Sequence, residues 1–143
     1  MDNADVNSVR NEKDERRIKA ALILFLINAA SMMILGLIIL INAPEVAAGA
    51  FELYEGTIVQ PFINDMFDLG SLIIVMQIAS SVTVIGGITA AIAAVLTMKR
   101  RNHKIIIFVG IISAIAGITT GAGLLIGIAA VWMIQKVKGS FFG

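Results

Sequence analysis

The sequence predicts an all-α integral membrane protein: a four-helix bundle with both termini on the cytoplasmic side and short amphipathic helices in its outer loop. Three observations carry this. No Asp, Glu, Lys or Arg lies between Ala20 and Pro44, between Gly70 and Met98, or between Ile105 and Gln135, so all 21 formal charges fall in the segments left over. The chain is 58% apolar and 15% charged, with a mean hydropathy of +0.92, whereas about a quarter of a soluble domain is charged. The signs of charge are also segregated from one polar segment to the next. An uncharged apolar run of roughly 20 residues, rising about 1.5 Å per residue, crosses a hydrocarbon core about 30 Å thick.

The chain divides into a cytoplasmic segment, 1–17, and a single transmembrane domain, 18–143. Up to Lys19 there are five acids and five bases. Glu12 and Arg16 are spaced i,i+4, which supports extending the first helix into the cytoplasm. The first span is Ile18–Ile41. It exceeds the apolar region of a signal peptide, about 7–15 residues, and is read as retained, although VAAGA (Val46–Ala50) would offer small residues for cleavage.

The outer loop, 42–70, has no base and carries Glu45, Glu52, Glu55, Asp65 and Asp68. Val46, Ala50 and Leu53 recur at helical spacing, with Glu45, Glu52 and Glu55 on another face. Pro61 interrupts, and Phe62, Ile63, Met66, Phe67 and Leu69 then oppose Asp65 and Asp68. Two short amphipathic helices lying on the outer surface as a cap are expected. Paired carboxylates suit a hard divalent cation, but the Gly-rich ligand spacing is missing. Solvated acidic faces and no metal are the expectation.

The second span is Ser71–Met98, followed by KRRNHK. Lys and Arg beside spans mark the cytoplasmic side, which places the N-terminus and KRRNHK inside and the acidic loop outside. The last apolar region, Ile105–Gln135, would be about 46 Å long as one helix. That demands a tilt of about 50°, beyond the usual range of about 0–40°, and leaves Lys136 and Lys138 outside. Division at ITTGAG (Ile118–Gly123) gives spans 104–118 and 122–136 and returns those lysines to the cytoplasm. Gly121 and Gly123 supply turn conformations. A three-span version with one long last helix is the alternative. Trp132, Phe141 and Phe142 read as interfacial aromatic anchors.

Arg16, Arg17, Lys19, Lys99, Arg100, Arg101 and Lys104 are expected to face anionic lipid headgroups, at about 1 kcal/mol per base. Nucleic acid is not an expected partner, since aromatic interleaving is absent and acids lie close by. His103 is expected to be a solvated loop residue, without the partners that a metal site needs.

No ionisable residue lies in the membrane interior, since Lys19, Lys104 and Lys136 stand at span ends, which argues against an ion-coupled transporter. Asn28 and Gln77 are the most conspicuous polar groups at depth and are read as interhelical hydrogen-bonding residues. Gly86 and Ala90, Gly110 and Ala114, and Gly123 and Gly127 are each spaced by four. Small faces of this kind let helix backbones approach closely, whether within one bundle or between copies. Cysteine is absent, which removes disulfides and thiolate chemistry.

Residues 84–135 combine a Gly-rich span (VIGGITAAIAAVLT), a basic turn (MKRRNHK), a second span (IIIFVGIISAIAGI), a Gly turn and a last span (LLIGIAAVWMI). This pattern resembles small tetraspan membrane proteins of unknown function from bacteria and archaea. The resemblance implies a four-helix bundle with both termini inside and implies no activity. Claudins and tetraspanins share the span count, but their hallmark cysteines are missing. Small multidrug exporters depend on a glutamate inside the first helix, and Ile18–Ile41 has none.

There is no phosphate-binding loop, no nucleophile paired with a base and no metal-ligand cluster. The expected protein is therefore not an enzyme and has no cofactor. It is a multi-pass protein of the plasma membrane that acts by helix association, as an accessory, assembly or structural subunit of a membrane complex or array, a virion envelope included. Expected partners are the bilayer, anionic lipid on the inner side, and further copies or other subunits. The competing reading is a small-solute channel or facilitator formed by an oligomer and lined by Ser, Thr, Asn and Gln.

Overall fold

The computed structural model describes residues 3–141, with side chains described from Val9 onward; Phe142, one of the expected anchors, lies outside them. The order is α1 (Asn3–Ile41), α2 (Ala43–Tyr54), α3 (Gln60–Met66), α4 (Leu69–Met98), α5 (His103–Ala116), a 3-10 turn (Gly117–Thr120), α6 (Ala122–Lys136) and a last 3-10 turn (Lys138–Ser140). No strand occurs among the described residues. Three stretches are long and apolar enough to cross a membrane: Val9–Ile41, Leu69–Met98, and His103–Thr120, which joins α5 to its 3-10 turn. At 15 residues, α6 is shorter.

Local chemistry sets the boundaries. α1 continues well before Ile18 through its charged turns, where Arg16 pairs with Glu12 one turn away. Between α1 and α2 only Asn42 intervenes, and its side-chain amide donates to the Ile38 carbonyl at 2.8 Å. Pro44 sits in the first turn of α2, where its missing N–H is harmless. After α2, Gly56 adopts φ +76° and donates its N–H to Gln60 Oε1 at 2.8 Å. Pro61 likewise opens α3. Asp68 caps α4 by accepting the Ser71 N–H at 2.9 Å, which satisfies one of the free donors at a helix start.

α4 ends in a tight turn with Arg100 and Asn102 at φ 51° and 54°. Asn tolerates the left-handed region, whereas Arg gives up roughly 1–2 kcal/mol there. Arg100 is held by an ion pair to Glu15 of α1. The second reversal is at Gly121, φ +66°. There α6 folds back along α5, so the single helix of the three-span version, Ile105–Gln135, does not form.

α1 packs on α4 and α6, and α5 packs on α4 and α6, which closes a ring of four helices. The α1–α4 register is antiparallel, with Met32 at Gly86, Met33 at Gly87 and Gly36 at Ser80 and Val84. In the α5–α6 hairpin, Gly110 meets Val131, Ala114 meets Gly127 and Gly117 meets Gly123. The packing changes along the axis. Near the basic turn the core is bulky, with Phe25, Ile106 and Ile134 among alanines. Towards the Gly121 turn it is small: a Cβ on Gly117 would lie 2.5 Å from the Gly123 carbonyl carbon.

α2 and α3 stand where two loop helices are expected, but α2 uses a different face. Ala43 and Ala47 are fully buried, whereas Val46 and Leu53 are exposed. Small residues permit close approach of α2 to α4. No residue of α3 is buried, and Phe62 and Met66 are open.

Candidate functional site

The interior polar groups form a seam where α1, α4 and the hairpin turn converge. Asn28 is fully buried, and its Nδ2 donates to Ser113 Oγ of α5 at 3.3 Å. Its Oδ1 has no hydrogen-bond donor among the described residues. That oxygen faces the bare Cα of Gly123, where a Cβ would lie 3.2 Å away.

Higher up, Thr83 of α4 and Thr119 of the 3-10 turn join hydroxyl to hydroxyl. Each has one proton. One donates across the interface while the other donates to its own helix, at Ala79 O (2.9 Å) or Ala116 O (3.0 Å). Thr120 Oγ1 accepts the Gly123 N–H at 3.1 Å and so starts α6. Above these hydroxyls lies a pocket of about 170 Å³ lined by Ile39, Val46, Met76, Ser80, Thr83 and Thr120, among others. It ends on the Thr83–Thr119 bond. The seam offers hydrogen bonds but no base, nucleophile or metal ligand.

Gln77 does not join this seam. It is exposed, and it falls off the stripe of Ser80, Thr83, Gly87 and Ala90 that α4 buries. The expected interhelical role therefore falls to Asn28 alone among these two amides.

Gly86, Ala90, Gly110, Ala114, Gly123 and Gly127 are all buried inside the chain's own bundle. A Cβ on Gly86 would strike Met32 Cε and lie 2.5 Å from Ala116 Cβ, and one on Gly110 would lie 2.7 Å from Val131 Cγ2. These faces are consumed within one copy.

At the basic end, the three segments that carry the bases are tied together. Besides Glu15–Arg100, Arg17 approaches Asp14 at 3.9 Å, and Ser140 Oγ donates to Asp14 Oδ2 at 3.3 Å. His103 corrects its expectation. It is buried, its Nε2 lies 2.9 Å from the Ile134 carbonyl oxygen, to which Nε2–H donates, and its ring lies 5.5 Å from that of Phe141. Opening α5 beside the end of α6 places it under the C-terminal turn. Phe141 thus packs on His103 as well as lying past the last helix. Of the seven bases expected at lipid, Arg16, Arg17 and Arg100 have carboxylate partners. Lys19, Lys99, Arg101 and Lys104 are exposed and without an acidic partner among the described residues.

At the acidic end, Glu45, Glu52, Glu55, Asp65 and Asp68 are all exposed. No cluster that could hold a metal occurs among the described residues. Hydrogen bonds from Ser71, its side chain first and its backbone second, hold the Asp68 carboxyl below its ordinary value.

Sequence reasoning missed Ser113, Thr83 and Thr119 as partners. The spacing held a usable signal: Thr83 and Thr97 continue the stripe of Gly87, Ala90 and Ala94 on α4, and both are buried. Nothing in the sequence marks His103, since its burial depends on how the chain ends fold together. Comparison with protein-family models, with curated proteins and with solved structures found no match.

Proposed function

We propose that the chain is a multi-pass plasma-membrane protein of four crossings that works by association and catalyses no reaction of its own. The N-terminus, the basic turn and the C-terminus face the cytoplasm, and α2 and α3 lie outside. It serves as an accessory, assembly or structural subunit of a membrane complex or array.

One observation carries this reading. Inside, glycine, alanine and hydroxyl residues stand beside a few bulky side chains such as Phe25, Ile106 and Ile134, while Ile34, Ile85, Phe108, Ile115, Leu125 and Trp132 are all at least 53% exposed. A surface of that kind on four adjoining helices would aggregate in water, and suits lipid tails or other membrane helices. With the glycine faces already occupied, association falls to the outward residues.

A small-solute channel is the second reading, favoured by the hydroxyl-lined pocket between α2 and the hairpin turn. The bonded Thr83 and Thr119 stand in its lining, and the hairpin helices meet closely at Gly117 and Gly123, which favours a continuous path between copies over one through the bundle.

Single cysteines at Glu55 and at Arg101 test the topology. An impermeant thiol reagent applied to intact cells is expected to label position 55 and spare position 101. Labelling at 101 would reverse the proposed orientation. Native mass spectrometry from mild detergent then reads association, and a lone monomer without co-purifying protein would count against the subunit role.

A further inference from the structure

The surface carries several apolar grooves between neighbouring helices, and one differs from the others at its end. It runs between α5 and α6, holds about 360 Å³, and is lined by Ile111 and Ile115 on one side and Leu124, Ile128, Trp132 and Gln135 on the other. From Leu124 to Gln135 it extends about 16 Å, one leaflet of a hydrocarbon core about 30 Å thick. Only its last position is a polar side chain, the Gln135 amide.

Cations stand around that end. Lys136 Nζ lies 5.5 Å from the Trp132 ring centroid. Lys104 is exposed and falls on the same stripe of α5 as Ile111 and Ile115, spaced i, i+7 and i+11. The His103–Ile134 hydrogen bond holds the start of α5 beside the end of α6. No Asp or Glu follows Asp68 in the sequence. The nearby carboxylates of α1 are engaged, Asp14 by Arg17 and Ser140, and Glu15 by Arg100.

We infer that this groove binds one anionic phospholipid of the cytoplasmic leaflet. One acyl chain lies along Ile115, Leu124 and Ile128, and the phosphodiester meets Lys104, Gln135 and Lys136. Charge complementarity selects this occupant. The α1–α4 groove is larger, about 410 Å³, but its lining, from Met33 and Ile88 to Val95 and Leu96, holds no polar side chain to match Gln135. The inference rests on the four-crossing orientation proposed above.

The test uses the full chain in mild detergent, titrated with phosphatidylglycerol or with phosphatidylcholine of the same acyl chains, and read by native mass spectrometry. A single phosphatidylglycerol is expected to be retained in preference to phosphatidylcholine. Lys104→Gln and Lys136→Gln should each weaken retention about fivefold, while Lys104→Arg and the distant Lys13→Gln should not. Ile128→Trp, which fills the groove, should abolish retention of both lipids. Lipid-free melting temperatures equal to the parent's show that each variant is folded. Equal retention of the two lipids, or unchanged retention in both Gln variants, would overturn the inference. So would a dimer that Ile128→Trp dissociates, since the groove would then hold a second copy. Extraction of the protein from membranes by alkaline carbonate would instead sink the membrane reading itself.

Discussion

Gly127 sits where Ala114 leaves no room for a side chain. A Cβ at position 127 would lie 2.8 Å from Ala114 Cβ and 2.9 Å from its Cα. The obstacle is partly backbone, so no rotamer change relieves it. In lipid, where apolar surface gives helices no drive to meet, contact of this kind supplies the packing energy.

Gly127→Ala is therefore expected to destabilise the fold by about 1–3 kcal/mol, the usual range for inserted bulk in a packed interior, and Gly127→Leu by more. Leu125 is 70% exposed, so Leu125→Ala should have little effect. Thermal melts in detergent measure all three. A Gly127→Leu protein that melts like the parent would refute the close hairpin.

Asn28 and Ser113 are expected to be coupled. Ser113→Ala strips the buried amide of its one side-chain partner, and an unsatisfied buried group costs about 1–3 kcal/mol. Asn28→Ala removes the amide itself. In a double-mutant cycle the two losses should fall short of additivity by about 0.6–1.7 kcal/mol, the range for interhelical hydrogen bonds in membranes. Strict additivity would mean that the 3.3 Å contact contributes nothing.

His103→Ala should loosen the C-terminal turn without unfolding the bundle. Limited trypsin digestion is the measurement, with faster cleavage at Lys136 and Lys138 expected. Unchanged cleavage would show that Val137, 1% exposed, and the Ser140–Asp14 bond hold the turn unaided.

Asp68 gives a pH signature. Its carboxyl titrates below its ordinary value of 3.8 because the charged form accepts hydrogen bonds from Ser71. A depressed folded value means that the cap's contribution is complete above the unfolded value and is lost as pH falls through the folded one. The difference in melting temperature between the parent and Asp68→Ala should be constant near neutrality and shrink below about pH 4. A difference that is the same at pH 7 and at pH 3 would rule out the charged cap.

Charge gaps located the apolar helices, and the Gly-rich ITTGAG located the hairpin turn to within a residue of Gly121. Ala122–Lys136 emerges with the expected limits because turn glycines and flanking lysines bound it on both sides. Which way each helix faces was harder to read. α4 is apolar almost all round, so only its stripe of small residues, Gly87, Ala90 and Ala94, sets buried Thr83 apart from exposed Gln77. That Thr83 meets Thr119 and Asn28 meets Ser113 depends on how the hairpin packs, a fact of tertiary structure. His103 shows the same limit: its neighbours in sequence are cations in solvent, and its neighbours in space are Ile134 and Phe141.

α6 is a short piece of hardware among longer ones. α1 from Lys19 and α4 both have the reach for a core of about 30 Å, whereas α6 covers about 22 Å. An embedded bundle built this way would make the surrounding sheet of lipid thinner beside α6 than on its α1–α4 flank. Stretched or dimpled lipid carries an energy of fractions of a kcal/mol per Å of mismatch. Two thin flanks brought together share one dimple instead of making two. In a bundle embedded that way, the short α6 would give the molecule a preferred side for gathering, acting through the lipid before any side chains touch.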